Sequence, residues 1–574
     1  MYKDRSSNQN SLTAMIRQLG VFLLAGAIAL TGCTASDTTL EQENMKVFRY
    51  NQAQGLSSLD PAFARNQANV WAISNIYNGL FRLNEEMYPV PDLAESWDVS
   101  EDGTEYTFTI RRGVFFHDSE AFNEGKGREL TAEDVVYSFR RLLDSKTAST
   151  GAWIFADKVK KDANGGNAQD WIKAEDKYRL TLKLDKPFGP FLEFLTIPYT
   201  FIVPKEAVEK WGKDFRRHPV GTGPFMMKTW DEGNSLVLTK NDNYFKKDAS
   251  GKQLPYLDAV LISFVQDRNQ ELLNFRQGKL DFVSGLQANN IESVLTPNGE
   301  VREEYKDQFV VQKEPYLNTE YIGFSLEPSA YEDKNHPILN AKFRQALNYA
   351  VNRKDLVKYV FNNVGTPGEN GIIPPAIRYF KENSTDGYSY NTKKAEQLLS
   401  EAGYPGGKGL PTLKLYTTVQ SKEMVEYLQK EWNAIGVPVE IEMNLASTHQ
   451  ELIDNSKVNF FRSSWLGDYP DAENYLALFY SKNFSPSGPN KTHFKNEEYD
   501  ALYEQARYET QGFNRLDLYK QMDRIIVEQA PVVVLFYDEV IRLTQPNIQG
   551  LDPNPMNVLD LERVDFMEGE VVQN

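Results

Sequence analysis

Cysteine is nearly absent: the 574-residue chain has one, Cys33. A single thiol excludes an internal disulfide framework, and its place in an apolar N-terminal segment is a poor one for a catalytic nucleophile. Histidine is scarce too. The five histidines, His117, His218, His336, His449 and His493, are scattered, no two at metal-ligand spacing, and neither His-Glu-x-x-His nor Gly-x-Ser-x-Gly occurs. No metal or cofactor site is therefore expected, and no catalytic one. The chain also lacks a long basic run. With a formal charge of −17 and a pI near 5.0, a nucleic-acid partner is not expected, because phosphate binding needs clustered Lys and Arg. Carboxylates are plentiful, so some pair will always resemble a glycosidase dyad; without geometry that pairing has no content.

The chain is too long for one hydrophobic core, and its 41% hydrophobic and 25% charged residues are ordinary for a folded protein of two or three domains. Aromatic side chains are abundant, which suits a ligand groove and large cores equally. The N-terminal stretch "MIRQLGVFLLAGAIALTGC", Met15 to Cys33, has Arg17 before an apolar run from Leu19 to Leu30, too short for an ordinary spanning helix. Leu30-Thr31-Gly32-Cys33 resembles a bacterial lipobox. The expectation is a signal peptide over 1–32, a lipid on Cys33, and a flexible tether over 33–45 whose "TASDTTLEQEN" lacks apolar periodicity. Residues 2–14 then reflect an early start codon.

Beyond the tether, strands and helices alternate without a fixed repeat. Alternating apolar residues predict strands at Tyr106, Phe108 and Ile110, at Leu180, Leu182 and Leu184, and at Val439, Ile441 and Met443. Thr131 with Asp134 predicts a capped helix start, "FRQALNYAVNRKDLVKYVF" reads as a helix with Phe343, Leu347, Ala350 and Val351 on one side, and Gly403 stops the helix before it. The class is mixed α/β.

Five blocks then carry a resemblance. "LAESWDVSEDGTEYTFTIRRGVFFHD" with "LTAEDVVYSFRRLLD" (Leu93 to Asp144), "HPVGTGPFMMKTW" (His218 to Trp230), "YIGFSL" (Tyr321 to Leu326), "FRQALNYAVNRKDLV" and "GIIPPA" occur in an order that resembles extracellular solute-binding protein family 5. These are the peptide and oligopeptide receptors of ABC importers. The resemblance implies a two-lobe periplasmic-binding-protein-like fold with an extra third domain and a ligand cleft between the lobes. It assigns lobe one to 46–79, 200–316 and 536–574, the extra domain to 80–199, and lobe three to 317–535, with two crossing segments as a hinge. It also implies short peptides as ligands, permease subunits as partners, a monomer, and a lipid-anchored position at the periplasmic or extracytoplasmic face. The Gly221-Thr222-Gly223-Pro224 turn is read as a structural bend, since no helix start with a lysine follows it.

The segment "RSSWLGDYPD", Arg462 to Asp471, is the candidate site. If Phe460 to Gly467 is a strand, Arg462, Ser464, Leu466 and Asp468 point to one face while the backbone offers an edge. A peptide needs an anion for its amine, a cation for its carboxylate and an edge for its backbone. The resemblance places Trp465, Asp468 and Tyr469 in the cleft, with Asp468 holding the peptide amine and Arg462 able to meet the carboxylate. Two other readings stay open: Asp468 capping the Tyr-Pro turn, and Arg462 in an internal salt bridge. The family also pairs peptide backbone with a segment that falls at Asn66, Gln67 and Ala68, and Tyr537 is either a ligand donor or a core tyrosine. Three functions compete: a peptide receptor; a relative binding an oligosaccharide, a nickel chelate or haem; and a lipoprotein hydrolase or chaperone. The aspartate motif favours the first.

Overall fold

The computed structural model describes residues 45–286, 288–380 and 384–567. Cys33 and the apolar segment before it lie outside these residues. Among the described residues no helix is long and apolar enough to cross a membrane.

An 11-stranded mixed sheet runs through the molecule. Its order is Val439–Asn444, Leu413–Thr418, Phe460–Leu466, Val310–Phe324, Val532–Thr544, Phe282–Ser284, Val47–Asn51, Ala259–Ser263, Ser235–Lys240 and Phe225–Asp231, with Thr366–Pro367 beside Val532–Thr544. A separate sheet of four strands orders Ala94–Val99, Glu105–Ile110, Arg179–Lys183 and Ile172–Ala174. The alternation read from sequence explains it: Tyr106, Phe108 and Ile110 are buried on one face, and Tyr106 and Phe108 lie opposite Leu182 and Leu180. The helix Ala132–Leu143 begins with the reciprocal cap between Thr131 and Asp134, and packs Val135, Phe139 and Leu142 inward.

Three large cores follow. The first joins Phe48, Trp71, Phe81, Phe108, Phe139, Leu238 and Leu561, so the segments assigned to lobe one and to the extra domain share apolar packing. The other two lie on opposite faces of the sheet around Val310–Phe324: Ile322, Leu347, Trp432 and Phe460 on one, Tyr321, Tyr475, Tyr499 and Tyr537 on the other.

Val310–Phe324 and Val532–Thr544 are the long strands. Residues 310–315 pair with 539–544, whose far end also meets Phe282–Ser284; residues 319–323 pair with 532–537, and 318–324 join Phe460–Leu466. The register breaks between Pro315 and Thr319. Proline has no N–H for the ladder, so the break falls where one hydrogen bond is already missing.

The structure differs from the sequence reading at Phe343 to Phe361. One helix was expected; there are two, Ala341–Tyr349 and Arg353–Val360. Asn352 takes an extended conformation and its side chain accepts from the Asp355 amide at 3.2 Å, which starts the second helix. The neighbouring Arg353 is fully buried and donates to the carbonyls of Val534, Asn348 and Tyr388, tying the break to the sheet. The Gly221-Thr222-Gly223-Pro224 turn is structural: a Cβ at Gly221 would stand 2.1 Å from the Ile76 carbonyl oxygen, and Gly223 O accepts from the buried His117 ring at 2.9 Å.

Candidate functional site

The strand Phe460–Leu466 pairs antiparallel with the end of Val310–Phe324, Leu466 opposite Asn318 and Phe460 opposite Phe324. Gly467 N donates to Leu317 O at 2.7 Å and Ser325 N to Asn459 O at 2.9 Å, bracketing the ladder at both ends. In an antiparallel pair the bonded residues alternate, so Phe461, Ser463 and Trp465 turn their backbone groups toward that partner while Arg462, Ser464 and Leu466 turn theirs the other way. That outer edge is covered only at its start. The strand Leu413–Thr418 bridges it at Tyr416 and Phe461, and the His449 ring donates through Nε2 to Arg462 O at 2.8 Å. At Ser464 and Leu466 no strand among the described residues pairs with the edge. His449 was not picked out in the sequence, where it is one of five scattered histidines with no local signal.

Side chains alternate as expected: Arg462 and Ser464 are half-buried and Leu466 is exposed on one face, while Phe461 and Ser463 are buried on the other. Asp468 lies at the far end, beyond Gly467. Asp468 is exposed, and the protein around it still pushes its carboxyl up to about 6 through loss of solvent, against a hydrogen bond from Asn474 that lowers it. No ion pair reaches Asp468 among the described residues. The Tyr199 phenol feels its charge: burial raises the phenol's pKa, a hydrogen bond from Thr150 lowers it, the Asp468 charge raises it and Arg65 lowers it. Thr150 Oγ1 donates to the Tyr199 hydroxyl at 3.1 Å.

Asn474, also missed in the sequence, organises the motif: its Oδ1 accepts from Trp465 Nε1 at 2.7 Å and from the Asp468 amide at 3.3 Å. The half-buried Trp465 packs against the core that holds Tyr475 and Tyr537. Tyr469 is buried, its hydroxyl bonded to Glu473 and its ring 4.5 Å from that of Phe194. It is a packing residue behind the site.

The other sequence candidates sit as follows. Arg462 is ion-paired: Nη2 lies 2.6 and 2.5 Å from the two carboxylate oxygens of Glu320, a nearly buried residue on the adjacent strand. Asn318 Nδ2 donates to Glu320 Oε1 at 3.2 Å and to Asp538 Oδ2 at 3.3 Å. Burial pushes Asp538 up to about 6, and the Glu320 charge adds to it. Tyr537 is a core tyrosine: it is buried and donates to Gly371 O at 2.5 Å, so its hydroxyl is not offered to a ligand. Asn66, Gln67 and Ala68 do not form an extended segment. Asn66 caps the helix Gln67–Ile76, accepting from Asn69 N at 2.9 Å, so Gln67 and Ala68 point their amides along a helix axis. Gln67 Nε2 reaches the Tyr316 hydroxyl at 3.5 Å, linking this helix start to the register break.

Similarity to known proteins agrees with this architecture. The family described as "Bacterial extracellular solute-binding proteins, family 5 Middle" matches residues 88–487. The dipeptide-binding protein DppE of Bacillus subtilis is 28% identical over 567 residues, covering 94% of this chain and 97% of that protein. Heme-binding protein A of Haemophilus influenzae is 29% identical, covering 93% and 96%. Among solved structures, the periplasmic binding protein DppA from Helicobacter pylori in complex with the peptide STSA superposes with a TM-score of 0.72 at 25% identity, over 91% of this chain and 98% of that one. The family model spans more than half of the chain and the solved receptors share its two-lobe fold: the chain is a member of family 5 of the bacterial extracellular solute-binding proteins.

Proposed function

We propose that this chain captures short peptides between its lobes and hands them, uncut, to the permease of an ABC importer. The observation that carries the reading is Asp468: an exposed carboxylate with no ion pair among the described residues, just past the end of a strand edge left open at Ser464 and Leu466. The open amide and carbonyl groups bind a peptide backbone whatever its side chains, by strand addition. The carboxylate takes the α-amine, and closing the lobes over the pair removes water and strengthens it. The Tyr199 phenol is close enough to feel the Asp468 charge. The relatives named for dipeptide and peptide binding support this assignment. In the domain assignment that goes with it, residues 46–79, 200–316 and 536–574 form lobe one, 80–199 the extra domain and 317–535 lobe three.

The haem-binding relative is as similar as the dipeptide-binding one, so haemin is the competitor to test. In a melting screen, a peptide present at a hundredfold excess over its Kd stabilises the protein by about 2.7 kcal/mol. A raised midpoint with peptides and not with haemin or oligosaccharides supports the peptide reading; the reverse overturns it. Peptide fragments accumulating over hours would indicate a hydrolase.

In the same reading the receptor is a monomer at the extracytoplasmic face, tethered through lipid on Cys33, a proposal that the lipobox resemblance supports. Cys33→Ser should leave the folded body intact and release it from membranes. Retention in the membrane fraction after a high-salt wash would contradict lipid anchoring.

A further inference from the structure

Arg462 and Asp468 stand at the two ends of one open edge, and a zwitterionic peptide would use both if both were free. Asp468 has no ion pair among the described residues; Arg462 has one. Its Nη2 is held by both oxygens of Glu320 at 2.6 and 2.5 Å, and Glu320 is itself fixed by Asn318, which also holds Asp538. The strand register explains the pairing: Glu320 lies opposite Ser464 and Arg462 opposite Ile322, so the two side chains meet diagonally on one face. Three carboxylates, Asp468, Glu320 and Asp538, thus lie along this stretch with Arg462 as their sole ion-paired cation among the described residues. Glu320 holds Nη2 and already neutralises the Arg462 charge, although Nε is buried without a partner. A ligand carboxylate at the guanidinium would therefore meet a compensated cation and stand beside the buried carboxylates of Glu320 and Asp538, so like-charge repulsion and desolvation offset what its hydrogen bonds contribute.

We infer that Glu320 makes this receptor indifferent to the ligand's carboxyl terminus: it recognises peptides by their amine end and accepts amidated peptides, or peptides long enough for the carboxylate to lie outside the cleft. The inference rests on the peptide reading above and narrows it to ligands defined at one end. It also gives Glu320 the role of a specificity determinant, acting through Arg462.

The test uses the full chain and a mixed-sequence library of short peptides in four forms: unmodified, C-terminally amidated, N-terminally acetylated, and blocked at both ends. Captured species are quantified by mass spectrometry. Wild-type protein is expected to retain amidated and free-acid peptides within about threefold of each other, and to lose acetylated ones by about tenfold or more. Depletion of amidated peptides by about tenfold, with acetylated ones also depleted, overturns the inference and leaves the peptide reading intact. Equal capture of acetylated and free peptides, or capture of none, overturns the reading and the inference with it. Glu320→Gln keeps the side chain's size but removes the competing charge, and should introduce a preference of about tenfold for free acids. An absent preference in a variant that still melts cooperatively overturns Glu320's role. If the variant does not fold, the wild-type comparison decides alone.

Discussion

Two regions of this molecule handle buried charge in opposite ways. Where residues 88–194 meet residues 378–519, Glu193, Asp471, Asp157 and Glu473 each have a partner. Glu193 is ion-paired with Arg378 at 2.6 Å, Asp471 with Arg515 at 3.2 Å and with the Tyr519 hydroxyl at 2.8 Å, and Asp157 with Arg507 at 3.2 Å. Glu473 accepts from the hydroxyls of Tyr469 and Tyr503. The Arg378 guanidinium also sits 4.4 Å above the Tyr88 ring. Along the Phe460–Leu466 edge, by contrast, Asp468 has no cation and the outer backbone groups of Ser464 and Leu466 have no strand. A seam that only has to hold is satisfied internally. A surface that has to receive something keeps one charge and one edge in reserve.

The comparison can be broken most forcefully at the seam. Arg378→Ala leaves Glu193 buried without its counter-ion, which should cost about 3–5 kcal/mol of stability, read from the denaturant midpoint. Burial and the Asp471 charge already raise the Glu193 pKa, so the double variant Arg378→Ala, Glu193→Gln should recover part of the loss. A single variant as stable as wild type would mean that the seam does not depend on its paired charges.

A smaller effect is expected at Asn474, which supports the site from behind. Asn474→Ala removes the acceptor of Trp465 Nε1 and of the Asp468 amide and should cost about 1–3 kcal/mol of stability. Because it loosens the backbone under Asp468, peptide affinity should fall as well. Unchanged affinity would show that the Trp465–Asp468 segment holds its shape without it.

The pH response separates the two regions further. Asp468 in the free protein holds its proton up to about 6, whereas an unfolded aspartate ionises near 4, at about 3.9. In that window the folded state binds more protons than the unfolded one, so this group's contribution to stability falls as pH rises from about 4 to about 6. Asp281, Asp523 and Asp538, each pushed up to about 6 by burial, act in the same direction. Peptide affinity should run the other way, weakening by about tenfold per pH unit below about 6 as the carboxylate is lost, for peptides with a free amine only. Titration calorimetry between pH 4 and 8 checks both ends; affinity independent of pH would exclude Asp468 as the amine's partner. The least effect belongs to exposed pairs such as Lys414 and Glu442, 3.5 Å apart across two strands. Lys414→Ala should shift stability by no more than about 1 kcal/mol.

What the sequence made legible was local. The strand Phe460–Leu466, the reciprocal cap at Thr131 and Asp134, and the structural turn at Gly221 to Pro224 each depend on periodicity or on residues a few positions apart. The partner of Arg462 does not: Glu320 lies 142 positions away, and only the antiparallel register brings them together. The same holds for His449, which covers one carbonyl at the sheet edge, and for Tyr537, whose hydroxyl meets Gly371 O from 166 positions away. The break at Asn352 is hidden because apolar spacing continues across it, and the helix start at Asn66 because the resemblance implies a backbone-pairing segment where the asparagine in fact caps a helix. Site residues of the open edge were readable from parity; which of them were already occupied was a matter of tertiary structure.

The central claim is that Asp468 is reserved for a ligand amine, and one thermodynamic cycle tests it most directly. Affinities of wild-type protein and Asp468→Asn are measured by calorimetry at pH 7.5 for a bound peptide and for its N-acetylated form. If the carboxylate neutralises the amine in a closed cleft, the substitution costs about 2–5 kcal/mol for the free peptide. Acetylation should then weaken wild type by a similar amount and leave the variant discriminating little between the two forms. Equal weakening of both peptides by Asp468→Asn, together with a lower melting temperature of the ligand-free variant, would contradict the account and make Asp468 a structural cap of the turn that follows it.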